Sequence, residues 1–169
     1  MARTKLKTRS MKSAVHKNTS HARTRITARA KGEAKPAAKA RPKHKFLVKR
    51  FRPEDFKGDG LRGYAHYRDL GVKDATHGMV VAHVIRLVAP CDPKVVSKEH
   101  YHDTEFQMIY VLKGSITSAF EGQGAHTMRA GDCWLQPQRI KHKVLDYSDD
   151  CELLEIVMPA DFKTVELAP

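Results

Sequence analysis

The chain has 169 residues, with 31 Lys/Arg against 19 Asp/Glu, a formal net charge of +12, and 41 % hydrophobic residues; that length is one ordinary domain. Cys91, Cys133 and Cys151 share no close spacing, which argues against a disulfide framework or a cysteine zinc site and fits a cytoplasmic protein. No run approaches the roughly 18 apolar residues of a membrane span, and the first residues lack the apolar region of a secretory signal.

The charge is unevenly spread. Residues 1–53 hold 18 Lys/Arg against the single acid Glu33, a net of +17, whereas residues 54–169 carry a net of −5. Residues 1–50 therefore read as a Lys/Arg-rich tail in which Leu6, Met11, Val15 and Ile26 are too sparse to pack, and disorder is expected there. Three roles fit such a tail. It can be an arm drawn to nucleic acid or anionic membrane by counterion release, without sequence readout. It can be an organelle transit peptide, rich in Arg and poor in acids. It can also be a dispensable extension, since Met11 offers a second start.

Residues 51–169 are expected to form one domain. "HGMVVAHVIRLVAP" is rich in β-branched residues and stops at Pro90, so it reads as a strand. "FQMIYVLKG", "SITSAFEGQG", "AHTMRAGD", "CWLQPQ", "HKVLDY" and "CELLEIVMP" follow at roughly ten-residue spacing, bounded by Gly, Pro, Asp or Ser. With no helix-period pattern between them, the fold class is all-β, a sandwich or barrel. Gly122 and Gly124 suit a hairpin, and Gly131 suits a turn that wants positive φ. Cys133 and Cys151 sit in apolar runs and read as small core residues.

The segment "HYHDTEFQMIYVLKG" carries the chemistry. Alternate residues of a strand share a face, so His100 and His102 point the same way and can meet at one metal ion. Gln107 opens the next strand, pairing back across a turn at residues 103–106, and shares its face with Ile109 and Val111. Farther on, "GDCWLQPQRIKHKVLD" supplies His142 at the start of a strand.

These two stretches resemble the paired motifs of the cupin superfamily. His100, His102, Gln107 and Gly114 fall on the spacing of the first motif, and Gly131, Pro137, His142 and Asp146 on that of the second. The resemblance spans residues 80–159 and implies a double-stranded β-helix, a jelly-roll cupin barrel behind the basic tail. It also implies one divalent metal ion (Zn, Fe, Mn, Ni or Co) held by His100, His102, Gln107 and His142, a small-molecule ligand, and a homodimer like those of small single-domain cupins. Three positions depart from the pattern. Lys94 and Arg139 replace motif glycines, and Gln107 replaces the usual Glu ligand. A Gln supplies a neutral carbonyl oxygen, leaving the full charge on the ion. That favours Lewis-acid isomerisation, cyclisation or hydration over dioxygenase chemistry.

Further candidates follow from the same alternation of faces. Glu105, two residues before Gln107, is the competing metal ligand; Asp103 reads as a turn residue. Glu155 shares a face with Leu153 and Val157. If that face is buried, its carboxyl has a raised pKa and is the candidate catalytic acid/base. Arg86 and Arg139 can clamp a substrate carboxylate, and Trp134, Tyr110 and Phe106 can line a pocket or serve packing and a dimer interface. His83 reads as a core or rim residue, while His66 and His77, placed in loops, and His126, in a hairpin, read as solvated. Two function classes remain open: a metal-dependent enzyme acting on a small anionic substrate, and a non-catalytic small-molecule sensor. Contact of residues 1–50 with nucleic acid can accompany either.

Overall fold

The computed structural model describes residues 40–60 and 62–168; residues 1–39, most of the basic tail, lie outside them. Ten strands are found among the described residues: β1 (Ala65–Asp69), β2 (Val81–Leu87), β3 (His100–Asp103), β4 (Phe106–Lys113), β5 (Ser115–Phe120), β6 (Gly124–Arg129), β7 (Cys133–Leu135), β8 (His142–Tyr147), β9 (Glu152–Met158) and β10 (Lys163–Glu166). Helical structure among the described residues is confined to single turns such as α1 (Val72–Ala75) and α2 (Pro93–Val96). All ladders are antiparallel and form two five-stranded sheets, β1-β2-β9-β4-β7 and β10-β3-β8-β5-β6. Two sheets burying their inner faces against each other make the expected jelly roll.

The alternation of apolar and polar residues sets what faces the core. On β4, Gln107, Ile109 and Val111 are buried, while Phe106, Tyr110 and Leu112 are exposed. Ile85, Leu87, Ile116, Met128, Tyr147, Cys151 and Leu153 complete the same core. Cys133 does not join it: it sits exposed on the three-residue edge strand β7, where the strand is too short to carry its apolar run inward. Cys151 is fully buried as expected.

Two strands escaped the sequence reading. β1, which contains His66, and β10 are short and polar, and each pairs with a longer neighbour that supplies the order. The expected hairpin between residues 100–103 and Gln107 is also corrected. β3 pairs with β10 and β8, whereas β4 pairs with β9 and β7. At buried Thr104 the chain crosses from one sheet to the other, and the Glu105 amide fixes the corner by donating to the Met158 carbonyl at 2.7 Å.

Gly114 makes the next crossing with φ of 67°. A side chain there would meet Ser148, Asp150 and the Cys151 backbone, its Cβ only 2.2 Å from Ser148 Oγ. This motif glycine is therefore fixed by both backbone angle and space. Before β1, the backbone of residues 40–52 touches the barrel through the Lys45 amide on the Ala75 carbonyl (2.9 Å) and Arg68 Nη2 on the Arg50 carbonyl (3.1 Å).

Candidate metal centre

The second sheet delivers three histidines to one point. His100 stands directly opposite His142 in the β3–β8 pair, so their side chains share a face. Their ring centroids are 4.2 Å apart, and His102, two residues along β3, lies 5.1 Å from each. One nitrogen from each ring falls within 4.8 Å of the others.

The opposite nitrogens are already engaged. His100 Nδ1 lies 2.9 Å from the Lys98 carbonyl, His142 Nδ1 lies 3.0 Å from the Ile140 carbonyl, and His102 Nδ1 lies 2.8 Å from Thr164 Oγ1. A backbone carbonyl can only accept, so Nδ1 of His100 and His142 carries the proton and Nε2 carries the lone pair. Thr164 Oγ1, which can donate or accept, anchors His102 through the same ring nitrogen. It can do so because it stands opposite His102 across the β10–β3 pair.

Burial keeps these rings uncharged. Burial, then the neighbouring His142 ring, pushes His100 down to about 3. Burial also lowers His102 to about 4 against the opposing pull of Glu155, and it lowers His142. Neutral, oriented imidazoles with converging lone pairs are what a divalent metal requires. The donor set fits the ion.

The first sheet contributes a carboxylate and two amides. Glu155 stands opposite His83 in the β2–β9 pair, and their side chains meet at 2.6 Å. The other carboxylate oxygen accepts from Gln107 Nε2 at 2.7 Å. Because an ionised carboxylate only accepts, the Gln107 amide nitrogen is committed to Glu155 and its carbonyl must face away. That carbonyl accepts from Gln136 Nε2 at 3.0 Å, and the same nitrogen lies 3.2 Å from His142 Nε2. Gln107 Oε1 and a ligand nitrogen of His142 thus converge on one donor, at a place a cation would also satisfy.

The expectation of a raised Glu155 pKa is corrected. Burial pushes the carboxyl up, but His83 and the Gln107 amide more than offset it, and the group stays below its ordinary value. At neutral pH it is a base.

Both faces open on one cavity of about 370 Å³, lined by the three histidines, Gln107, Glu155, His83 and Trp134 among others. Glu105 is not among them; it is exposed and borders a separate cavity. Nor do the expected arginine clamps reach the site. Arg86 turns outward to Glu152 (2.8 Å) and over the Phe56 ring (3.9 Å), and Arg139 lies on the Tyr101 ring (5.0 Å). Tyr110 and Phe106 are on the outer face.

Sequence reasoning missed Gln136, Arg62 and Thr164, and it underrated His83. For Gln136 a signal was available in "WLQPQ", because a polar residue two after Trp134 shares its inward face. Arg62 offered none, lying in a Gly-rich loop.

Residues 91–157 match the family model described as "Cupin domain". No curated protein matches the chain in sequence. Among solved structures, the polyketide cyclase RemF from Streptomyces resistomycificus is similar with a TM-score of 0.56 at 19 % identity, over 73 % of this chain and 87 % of its own. KdgF from Halomonas sp. gives 0.50 at 16 % identity, over 64 % and 93 %. The oxalate decarboxylase of Lactobacillus farciminis gives 0.51 at 15 % identity, over 69 % and 35 %. The motif spacing and the family match coincide within the two-sheet jelly roll: residues 91–157 of the barrel are a cupin domain.

Proposed function

We propose that the protein is a metal-dependent cupin enzyme acting on a small anionic organic substrate inside the barrel. His100, His102, His142 and Gln107 hold one divalent ion, and Glu155 is the base that moves a substrate proton. The observation that carries this reading is the anchoring of all three Nδ1 atoms, which leaves three neutral nitrogens facing one point. When bound, the ion supplies Lewis-acid activation of a carbonyl or of water. Gln107 adds no charge to the ligand set, which favours an isomerase or cyclase over a dioxygenase. The fold itself does not choose, since structures of this shape include a cyclase, a decarboxylase and a salicylate 1,2-dioxygenase.

Glu155, held ionised between His83 and Gln107, accepts the proton, and the apolar cavity wall excludes water from it. We assign the protein to the cytoplasm and to a homodimer formed over the outer face of the first sheet, where Phe106, Tyr110, Leu112 and Leu135 are exposed and the edge strand β7 needs cover.

Elemental analysis of the purified chain is the first test. About one divalent ion per chain is expected, absent in His102→Ala and weakened in Gln107→Ala. Zinc would direct the substrate search toward isomerisation and cyclisation, and iron or manganese toward oxygenation. A metal-free protein that cannot be reloaded would sink the enzyme reading.

A second reading is favoured by Gln136, whose amide already satisfies Gln107 and His142. In that case the cavity captures a small molecule without turnover, as a sensor. Ligand capture that survives chelation would mark it. With either reading, residues 1–50, rich in Lys/Arg, can tether the domain to nucleic acid; binding should then be steeply salt-dependent and vanish when they are deleted.

A further inference from the structure

We propose that Arg62 is the anchor for a carboxylate on the cavity's ligand, so that the site selects small monocarboxylates whose apolar body fills the barrel. This rests on the cavity being the ligand site, as in the proposed function, but not on the metal.

Arg62 lines the cavity and is only 8 % exposed. Its backbone is held by the Ala65 amide, which donates to the Arg62 carbonyl at 3.0 Å at the entry to β1. Two residues earlier, Gly60 lies so close to Tyr67 that an added Cβ would sit 2.4 Å from the ring, which pins the segment against the barrel. One arm of the guanidinium, Nη1, pairs with Glu166. Glu166 stands directly opposite His100 in the β10–β3 pair, so it shares the inner face with that histidine and brings Arg62 beside the cluster. The electrostatic influence of Arg62 on His100, His102 and His142 agrees with this placement.

The other arm, Nη2, is buried and has no hydrogen-bond partner among the described residues. A purely structural ion pair does not account for it. Glu166 is half in solvent and engages Nη1 alone, so the pair contributes little, whereas a buried charged donor without an acceptor is costly. A ligand oxyanion would satisfy it.

The charge of the cavity points the same way. Among the described residues Glu155 is the one carboxylate lining it, and it is already committed to His83 and Gln107. Glu166 offsets the Arg62 charge and Glu155 stays ionised, so the attraction for an anion is local to the Nη2 donor, and a bound metal would strengthen it. With a single free arm, the guanidinium suits a singly charged carboxylate better than a dianionic phosphate. The rest of the wall, including Ile85, Ile109, Ile116 and Trp134, suits an apolar body.

Trp134 is the only tryptophan of the chain and lines this cavity, so its fluorescence reports ligand entry. The test titrates the full chain, zinc-loaded and after chelation, with benzoate, neutral benzamide and phenyl phosphate. Benzoate is expected to change Trp134 emission saturably and to bind more tightly than benzamide. Arg62→Met should weaken benzoate by at least about tenfold while leaving benzamide and zinc content unchanged. Glu166→Gln removes the competing negative charge, leaving only a neutral acceptor, and should tighten benzoate severalfold. That second variant keeps the test decisive if Arg62→Met does not fold.

Equal benzoate affinity in wild type and Arg62→Met, or in wild type and Glu166→Gln, overturns the proposal. So does preference for benzamide, and tighter phenyl phosphate overturns the carboxylate class. Loss of zinc binding with Arg62-dependent benzoate binding intact would strike the enzyme reading alone. Zinc binding without any dependence on Arg62 would strike this proposal alone.

Discussion

The two inner faces of the barrel solve opposite electrostatic problems. The histidine face buries three ionisable rings by keeping them neutral, each tied through Nδ1 to a hydrogen-bond partner. The facing sheet buries a carboxylate by keeping it charged and giving it two partners, His83 and Gln107. Burial penalises the charged form in both cases. On the first face nothing outweighs that penalty, and on the second specific hydrogen bonds do. A cation can therefore be accepted by the neutral face without displacing protons, while the negative charge that balances it already waits across the cavity.

Acid should break this contrast most visibly. In the metal-free protein His100 and His102 titrate at about 3 and about 4, against about 6.5 in the unfolded chain. Between those limits the unfolded chain binds protons that the folded one refuses, so stability falls as pH drops from about 6.5 toward 3. The Glu155 carboxyl, also below its unfolded value, adds a loss in the same direction at the acid end. Chemical denaturation of the metal-free chain is expected to show a decline of a few kcal/mol between pH 7 and pH 4. NMR should show the His100 and His102 rings neutral at pH 5. Rings protonated at that pH would remove the distinction between the faces.

Glu155→Gln is the next largest perturbation. The substitution removes the one group that can only accept, so the Gln107 amide loses its reason to turn its carbonyl toward the histidines. Metal affinity is expected to drop about 10- to 100-fold, the usual scale for partners that orient a ligand, and isothermal titration with zinc would measure it. An unchanged affinity would mean that Gln107 is no ligand and that the two faces act independently.

The histidine face was legible in the sequence; on the facing one Gln107 and Glu155 were legible but their contacts were not, for a physical reason. His100 and His142 take their anchors from carbonyls two residues upstream, and the spacing of the three histidines along two strands is local information. The Glu155–His83 contact spans 72 residues and the Arg62–Glu166 contact 104. Both exist only because non-adjacent strands become neighbours. β1 and β10 were missed for the same reason, as was the crossing at Thr104 that a local pattern renders as a hairpin. Gly131, by contrast, adopts the positive φ expected of its turn.

Thr164 links the legible histidines to an illegible strand. Thr164→Val keeps the shape of the side chain and removes the hydrogen-bond partner of His102 Nδ1. Zinc affinity should fall by up to about tenfold, less than for Glu155→Gln, because only ring orientation is loosened. A loss as complete as in His102→Ala would show that Thr164 governs more than orientation.

The smallest effect is expected at Arg139, where the chain departs from the motif glycine at the rim of the histidine face. The residue has φ of 59°, a left-handed conformation that costs an L side chain about 1–2 kcal/mol. Arg139→Gly relieves this strain, but it also gives the unfolded chain more freedom, worth about 0.4–1 kcal/mol. It forfeits the exposed stacking on Tyr101 as well, worth about 0.5–1 kcal/mol. These contributions nearly cancel, so Tm should move by no more than a few degrees. The turn that presents His142 keeps its backbone bond from the residue 139 amide to the His102 carbonyl at 3.2 Å, which any residue can make. Zinc affinity should therefore stay within about twofold of the wild type, since neither the ligands nor their anchors change. A tenfold loss would mean that the guanidinium itself, and not the backbone beneath it, holds the two histidines in register.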